Sequence, residues 1–351
     1  MNPEFARSTA VHLAEEFPAR AATLDRGLDY IWFTVLWMAG AIGLVPLLSQ
    51  AQAFPTKPLR IVVPVGQGTS VDLFPRLLAP KMNEGFGQQV IVENRVGSGG
   101  IIGAASVAHA QGDGYTIMHG TTSQMISVVF LVKDLPYDPY KDFTPIAAAI
   151  EPVDFVMIRT SLPVNSLRDL VELAKRNPGK LTYGSGGTGA YHHLVGEAIQ
   201  MAAGIQLLHV PYKSIGQAGP ELIAERIDMT FGTLPGARPF VSGGKAKLIA
   251  FLGKERYPGR SEVPGVGELY PDFTKPPAWF AFWGPAGMPQ AIVTRWNSEI
   301  VKAMKMPDMQ NWYDENGVVV YASTPQRLTE MMRESTEVYR KIITSIGIKP
   351  E

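Results

Sequence analysis

The stretch VVPVGQGTSVDLF, from Val62 to Phe74, joins an apolar run to a glycine-containing turn and then to a predicted helix start. Gly66 and Gly68 permit positive φ angles and close backbone approach, which favours a tight turn. Asp72 is a good N-cap residue, so we predict a helix beginning at Leu73 with a proline in its first turn. A helix N-terminus exposes unpaired N–H groups and a partial positive charge. The turn is therefore a candidate anion site, although a strand-to-helix turn without a ligand has the same pattern.

Short apolar runs and helical patterns continue to alternate along the chain. A first series predicts strands at 59–65, 89–93 and 115–119, with helices at 72–85 and 99–110. A second series predicts helices at 166–176, 190–203 and 219–225, with strands at 181–183, 207–210, 228–231 and 247–252. Such alternation is typical of an α/β fold with largely parallel sheets. The two series predict two α/β lobes.

Two long apolar runs, 146–158 and 278–283, are predicted to be strands that cross between the lobes. Two crossings would make a hinged cleft. Predicted helices at 290–304 and 324–346 would pack back on the first lobe. The chain of 351 residues exceeds one ordinary domain, which agrees with two lobes. The expected division is lobe I at 54–155 and 280–351, and lobe II at 156–279.

A second glycine-rich turn, YGSGGTGAYHH, occurs in the second series. A short predicted strand ends at Tyr183, a loop of small residues follows, and a helix is predicted from about Ala190. Two such turns, one in each lobe, can face each other across a cleft. A carboxylate between them would receive backbone N–H donors from both sides, at roughly 1.5–3 kcal/mol for each charge-assisted bond. A pair of unrelated turns is the alternative interpretation.

The composition excludes several classes of function. The chain contains 32 Lys and Arg residues and 32 Asp and Glu residues, so it lacks the basic excess typical of nucleic-acid binding. It contains no cysteine, which excludes disulfides, thiolate zinc sites and cysteine nucleophiles and suits an oxidising compartment.

Familiar enzyme motifs are absent from the sequence. The dinucleotide pattern GxGxxG fails at Val71 and again at Ile102, and GxxxxGK[ST] does not occur. The adjacent His192 and His193 point to different helix faces and have no HExxH partner, so no metal or cofactor is predicted. Ser185 does not lie in GxSxG, although a hydrolase using Ser185 and a distant histidine stays an alternative.

The N-terminal segment resembles an export signal. Tyr30 to Ala53 contains no charged residue and closes on Ala51-Gln52-Ala53, a small-x-small pattern read by signal peptidase. The preceding 29 residues carry more acidic than basic side chains, which does not fit a signal peptide. Either the start is assigned too early or the segment stays as a membrane anchor, since about 20 apolar residues span a bilayer. We expect residues 1–53 to be a signal peptide or an anchor.

Several segments, taken together from Phe54 to the C-terminus, resemble the tripartite tricarboxylate transporter family of periplasmic solute receptors, the Bug-type proteins. They are FPTKPLRIVVPVGQGTSVD, VIVENRVGSGGIIGA, QGDGYTIMHG, LPYDPYKDFTPIA, NPGKLTYGSGGTGAYHH, HVPYKS and FWGPAGMP. The resemblance implies an α/β, two-lobed periplasmic-binding-protein (Venus-flytrap) fold, type II-like, with a hinged cleft. It also implies a periplasmic monomer, without enzyme activity or cofactor, that captures a small carboxylate and delivers it to membrane permease subunits.

The resemblance further implies a set of ligand contacts. The first turn supplies Gly66, Gln67, Gly68, Ser70 and Asp72, and the second turn supplies Ser185, Gly186, Gly187, Thr188 and Gly189. A third loop supplies Thr121, Thr122 and Ser123. The loop after Asp228 supplies Phe231, Gly232 and Thr233, and the aromatic and polar wall near the crossing strands comprises Trp279 and Phe280. Because side chains alternate along a strand, part of the aromatic run 279–283 is expected in the core.

The sequence departs from the family pattern in places that bear on the ligand. In the first turn, Val65, Gln67, Thr69 and Val71 replace the usual residues, and Thr69 lacks the backbone freedom of glycine. Many relatives have Asp at the position of Gly232, where it can pair with an amino group. Its replacement disfavours an amino-acid ligand. A sensor module tethered through 31–48 and an α/β hydrolase-like enzyme stay alternative functions, and the sequence does not distinguish dicarboxylates, tricarboxylates and aromatic carboxylates.

Overall fold

The computed structural model describes residues 54–350. The predicted signal peptide or anchor, residues 1–53, lies outside the described residues. In chain order the strands of the described part are β1 (Leu59–Val63), β2 (Val90–Asn94), β3 (Thr116–Thr121), β4 (Phe143–Pro152), β5 (Asp154–Arg159), β6 (Thr182–Ser185), β7 (Leu208–Pro211), β8 (Met229–Thr233), β9 (Ala246–Phe251), β10 (Phe280–Pro285) and β11 (Val318–Val320).

The helices of the same part of the chain connect and cover these strands. They are α1 (Ser70–Phe86), α2 (Ile101–Ala108), α3 (Val128–Leu131), α4 (Leu167–Arg176), α5 (Tyr191–Ala203), α6 (Ile215–Ile223), α7 (Leu234–Ser242), α8 (Val266–Leu269), α9 (Gln290–Met304), α10 (Pro307–Asn316) and α11 (Pro325–Ile346). A π-helical turn, Ser123–Ser127, precedes α3, and short 3₁₀ turns occupy Ser98–Gly100 and Pro258–Arg260.

The strands form two sheets, as the two α/β series predict. The first sheet has the order β11-β4-β10-β3-β1-β2, and the second has the order β7-β6-β8-β5-β9. In the first sheet β1 pairs in parallel with β2 and β3, whereas β10 runs antiparallel to both β3 and β4. In the second sheet β6 pairs in parallel with β7 and β8, and β5 runs antiparallel to β8 and β9. The α/β prediction is confirmed, with mixed rather than largely parallel sheets.

Apolar residues at every second position of β1 and at every fourth position of α1 explain how these two elements pack together. On β1, Leu59, Ile61 and Val63 share one face and are fully buried. On α1, the residues Phe74, Leu78 and Met82 recur every four positions and belong to the same core cluster. This cluster includes Trp296 of α9, so the helix after β10 packs on the first sheet, as predicted.

The predicted long strand at 146–158 is two strands in the structure. β4 ends at Pro152 in the first sheet and β5 begins at Asp154 in the second, with Val153 between them. This single-residue connection carries the chain from one sheet to the other. The second predicted crossing strand is displaced by two residues, because β10 begins at Phe280 and the chain from 271 to 279 is irregular.

The predicted start of the first helix is wrong. The helix begins at Ser70 with Thr69 as its N-cap residue, so Asp72 lies inside the first turn. The reason is that the Asp72 carboxylate reaches back and accepts a hydrogen bond from the Gly68 N–H at 2.9 Å. Pro75 accordingly lies one turn further into the helix than predicted.

Candidate functional site

The first turn follows the carboxyl end of β1 and lies on the surface. Residues 66–70 are exposed, and Gly68 has a φ of +79°, a conformation that L side chains rarely adopt. Thr69 has an extended backbone with φ −75°, and its hydroxyl donates to the Gly66 carbonyl at 2.9 Å. Threonine therefore replaces glycine at this position without backbone strain, because the left-handed residue is Gly68.

The Asp72 side chain stabilises the first turn through hydrogen bonds. Its side chain is buried and accepts hydrogen bonds from Arg76 Nε at 2.9 Å and Asn94 Nδ2 at 2.8 Å, besides the bond from Gly68. Burial by itself would raise the pKa of Asp72, but these hydrogen bonds outweigh it and leave the pKa lowered. Asn94 also donates to the Val65 carbonyl at 3.0 Å, so the end of β2 fixes the turn.

The second turn follows the carboxyl end of β6 and is closed by a serine and two histidines. Ser185 is fully buried, and its Oγ lies 2.6 Å from His209 Nε2 and 3.1 Å from the Gly187 N–H nitrogen. The Gly189 N–H donates to His193 Nδ1 at 2.9 Å, and the rings of His193 and His209 stack at 4.0 Å. Sequence analysis missed His209, which comes from the neighbouring strand β7.

The pKa values of both histidines are lowered, chiefly by burial. For His209 the neighbouring His193 adds to this effect, and the pKa falls to about 4. Both rings are therefore neutral at pH 7. His193 Nδ1 can then accept the bond from Gly189, which keeps the backbone of the second turn in place.

The pairing of Ser185 with His209 bears on the hydrolase alternative. A serine nucleophile needs a neighbouring base and access to a substrate. The base is within reach, but Ser185 has no exposed surface and its Oγ also contacts both the N–H and the carbonyl of Gly187. This geometry fits a residue that closes a turn.

The third loop follows β3 and is organised by Gln124, which sequence analysis also missed. Gln124 is buried, and its Oε1 accepts hydrogen bonds from the Thr121 N–H at 3.0 Å and the Thr121 hydroxyl at 2.9 Å. Its Nε2 donates to the Gly99 carbonyl at 3.0 Å, which connects the loop to the glycine-rich segment after β2. Thr122 is buried, and its hydroxyl lies 3.1 Å from the Tyr339 hydroxyl of α11.

The topology places these turns and loops along two facing edges. In the first sheet, β1, β2 and β3 are parallel, so their carboxyl ends share one edge with the end of β4. In the second sheet, the carboxyl ends of β6, β7 and β8 share an edge with the start of β5. Since only Val153 separates the end of β4 from the start of β5, the two edges meet at this connection. Ligands of open α/β sheets bind outside such carboxyl edges.

Contacts across the two edges bring the second turn next to the helix that follows the third loop. A Cβ atom built on Gly189 would lie 2.7 Å from Leu131 Cδ1, and Gly189 has a φ of +74°, a conformation that L side chains rarely adopt, so glycine is favoured here. Near the connection itself, Glu151 accepts hydrogen bonds from the Tyr321 hydroxyl at 2.5 Å and from Lys275. These contacts anchor the end of β4 to the segment before β10 and to the residue that follows β11.

The eighteen predicted contacts fall into two layers. The surface layer, exposed or partly exposed, contains Gly66, Gln67, Gly68, Ser70, Thr121, Ser123, Gly186, Gly187, Thr188, Gly232 and Thr233. The buried layer contains Asp72, Thr122, Ser185, Gly189, Phe231, Trp279 and Phe280.

Two predicted wall residues lie in the hydrophobic core. Trp279 is 1% exposed and donates from Nε1 to Ser335 Oγ at 3.0 Å, while Phe280 is 7% exposed and belongs to the core cluster of the first sheet. Phe282 and Trp283 are fully buried as well. All four aromatic residues of the run are therefore interior, whereas only part of the run was expected there.

The sequence profile of the tripartite tricarboxylate transporter family receptor matches residues 74–348. The chain belongs to this receptor family. A UPF0065 protein in the tcbD-tcbE intergenic region of Pseudomonas sp. strain P51 is 33% identical over 293 residues, which cover 83% of this chain and 87% of that relative. The resemblance inferred from the sequence motifs is confirmed.

Solved structures of family members share the fold. R. palustris Rpa4515 with adipate is 29% identical, with a TM-score of 0.77, and the alignment covers 85% of this chain and 100% of that one. MatC from Rhodopseudomonas palustris with bound malate is 26% identical, with a TM-score of 0.72, covering 83% of this chain and 100% of that one. The predicted two-lobed periplasmic-binding-protein fold is confirmed, and the chain is a solute-binding receptor of this family.

Among the described residues, no helix combines the length and the apolar character needed to cross a membrane.

Proposed function

We propose that this receptor captures a small carboxylate between its two lobes and delivers it to the membrane permease of a tripartite tricarboxylate-type transporter. The observation that carries the proposal is the meeting of two carboxyl edges at Val153, each lined by an exposed glycine-containing turn. Adipate and malate, named with the two solved relatives, are both carboxylates.

The first turn offers the donors that a carboxylate requires. Ser70 and Val71 open α1, so their N–H groups have no partner within the helix, and the partial positive charge of the helix end favours an anion. The Gly68 N–H donates to Asp72 and is therefore not among the donors offered to a ligand. Gln67 is exposed and can contribute a side-chain amide.

Lobe I would comprise residues 54–155 and 280–351, and lobe II residues 156–279, with closure about the connection at Val153. A ligand that contacts both lobes favours the closed form by its differential affinity for the two states. In this proposal residues 1–53 export the receptor to the periplasm or anchor it to the membrane, and the receptor acts as a monomer without a cofactor.

A bulky residue in the first turn tests the proposal. A Cβ atom at Gly66 would have no heavy atom within 4 Å, so Gly66→Leu is compatible with the fold but projects a side chain over the exposed turn. We expect Gly66→Leu to abolish carboxylate binding in calorimetric titrations while the far-UV circular dichroism stays unchanged. Gln206→Leu, at an exposed position before the amino end of β7, is the matched control and should bind normally. Unchanged affinity in Gly66→Leu would refute the role of the first turn.

A further inference from the structure

Unpartnered buried polar atoms concentrate at one place in the molecule. In residues 54–350, four buried side-chain polar atoms lack a hydrogen-bond partner: Asp154 Oδ1, Tyr191 OH, His192 Nε2 and His119 Nε2. His119 lies within the first sheet, where β3 pairs with β10. The other three lie together, since Asp154 Oδ1 and His192 Nε2 are 3.5 Å apart and the ring centroids of Tyr191 and His192 are 4.8 Å apart. Most buried polar groups in native proteins are satisfied, so such a concentration requires an explanation. We call Asp154, Tyr191 and His192 the Asp154 cluster.

The Asp154 cluster adjoins the proposed ligand contacts. Asp154 is the first residue of β5 and pairs with Thr233 at the end of β8. His192 stacks on Phe231, with ring centroids 5.6 Å apart and an interplanar angle of 10°. Tyr191 and His192 begin α5, immediately after the second turn. The cluster therefore lies between the start of α5 and the end of β8.

The three side chains of the Asp154 cluster do not form hydrogen bonds with one another. The 3.5 Å separation of Asp154 Oδ1 and His192 Nε2 exceeds the usual length of a good hydrogen bond, roughly 2.7–3.2 Å. Asp154 is 5% exposed and so has little access to solvent. Burial raises the pKa of Tyr191 well above its usual value, which keeps the phenol protonated and able to donate.

Charge decides which ligand group fits. A carboxylate side chain accepts hydrogen bonds and repels a second carboxylate brought into a poorly solvated site. A hydroxyl group can donate to Asp154 Oδ1 while it accepts from the Tyr191 hydroxyl, and an ammonium group can donate to both oxygens. An unsubstituted carbon chain would leave all three groups without partners.

We infer that the Asp154 cluster binds a hydrogen-bond donor, a hydroxyl or an ammonium group, carried on the carbon skeleton of the captured carboxylate. This inference rests on the proposed function and specifies its ligand class. The named ligands of the solved relatives differ in this respect, because malate carries a hydroxyl group and adipate does not. The residues of each receptor must therefore decide the preference.

The position of Asp154 also changes the argument drawn from Gly232. Glycine at that position removes one carboxylate from β8, which disfavours an amino-acid ligand. Asp154 pairs with Thr233, whereas Gly232 pairs with Phe155, so the side chain of Asp154 lies on the other face of the sheet and supplies a carboxylate that does not depend on position 232. An ammonium group is thus a second donor that the site can accept.

Matched ligands test the inference. The purified full chain is titrated calorimetrically with succinate, malate and aspartate, with tricarballylate and citrate, and with benzoate and 4-hydroxybenzoate. We expect a donor-bearing member of the bound series to bind roughly ten- to a hundredfold more tightly than its unsubstituted counterpart, as for a charge-assisted hydrogen bond. A tighter hydroxy member identifies a hydroxyl site, and a tighter amino member identifies an ammonium site.

Asp154→Asn should reduce the preference to less than about threefold, with the unsubstituted ligand bound as before, because the amide removes the charge and preserves the shape. Asp113→Asn is the control, since Asp113 lies before the amino end of β3 at the opposite edge of the first sheet.

Equal binding of substituted and unsubstituted ligands by the unaltered protein would overturn the inference and leave the proposed function standing. Failure of every carboxylate to bind would overturn both.

A second variant separates a ligand-binding role from a structural one. Tyr191→Phe removes a hydroxyl that has no partner, so the unfolding temperature of the ligand-free protein should not fall, whereas the preference for donor-bearing ligands should. Tyr313→Phe removes a buried hydroxyl that donates to the Met304 carbonyl at 2.9 Å, and it should lower the unfolding temperature without changing the preference. A fall in unfolding temperature for Tyr191→Phe equal to that for Tyr313→Phe, with the preference intact, would contradict the inference.

Discussion

His119 Nδ1 lies 2.9 Å from the carbonyl oxygen of Val71 and donates a hydrogen bond to it. In a regular helix that carbonyl would accept from the N–H four residues later, but position 75 is proline and has no N–H. The buried histidine of β3 thus replaces the hydrogen bond that Pro75 removes from α1, just behind the first turn.

This relationship predicts a coupled pair of substitutions. His119→Leu should lower the free energy of unfolding by about 1–3 kcal/mol, because the Val71 carbonyl is then buried without a partner. In a Pro75→Ala background the new N–H can bond to Val71, so the same substitution should cost less. Urea unfolding of the four proteins measures the coupling. Equal costs in the two backgrounds would show that the histidine acts only through its packing against neighbouring aromatic rings.

The two glycines of the first turn provide a matched comparison. An added Cβ has no heavy atom within 4 Å at either Gly66 or Gly68, but only Gly68 has a positive φ, +79°. Gly68→Ala should therefore destabilise the protein by roughly 1–2 kcal/mol, the cost of a left-handed conformation. Gly66→Ala should leave the stability unchanged or raise it by about 0.4–1 kcal/mol, because alanine lowers the conformational entropy of the unfolded chain. Thermal unfolding of both variants measures the difference, and equal midpoints would contradict the assignment of strain to Gly68.

Local patterns predicted much of the architecture. Alternating strands and helices indicated the two sheets, and the apolar run at 146–158 indicated the connection that carries the chain between them. The helix start at Ser70 was missed because Asp72 can either cap a helix or reach back from its first turn, and local sequence does not distinguish the two. Helices α7 and α10 were also missed, although each begins at or next to a proline, a recognisable start signal.

The candidate site depended more on distant pairs, which the sequence cannot reveal. Ser185 and His209 are 24 residues apart, and Thr122 and Tyr339 are 217 residues apart. Asp154 was not predicted to belong to the site, because an isolated acidic residue after a proline and a valine has no distinctive pattern. Its relation to Tyr191 and His192 exists only once β5 and α5 are placed.

Three histidines with lowered pKa values make stability depend on pH. Burial lowers the pKa of His119 to about 3 and that of His209 to about 4, and it also lowers the pKa of His193. The unfolded chain, with histidine pKa values near 6.5, therefore binds more protons than the folded protein. The stabilisation is complete above about pH 6.5 and is lost as the pH falls toward these lower pKa values.

The free energy of unfolding should thus decrease steadily from pH 7 to pH 5, with an uptake of up to about one proton for each of these histidines on unfolding. Urea titrations at several pH values measure this slope. His209→Gln should reduce the uptake by about one proton. A free energy of unfolding that stays constant between pH 7 and pH 5 would show that these rings are not held neutral by the fold.

The connection between the sheets depends on Glu151, which is 7% exposed and accepts hydrogen bonds from Lys275 and the Tyr321 hydroxyl. Glu151→Ala should destabilise the protein by about 1–3 kcal/mol, since it removes the acceptor of Lys275, of the Tyr321 hydroxyl and of the buried Ala278 N–H. Asp138→Ala removes a carboxylate from the exposed ion pair with Lys141 and should cost no more than about 1 kcal/mol through that pair. The combination Glu151→Leu with Lys275→Met should cost less than Glu151→Ala, because no charge is left unpaired. Denaturant unfolding compares these variants, and equal losses for Glu151→Ala and Asp138→Ala would show that the buried network does not stabilise the connection.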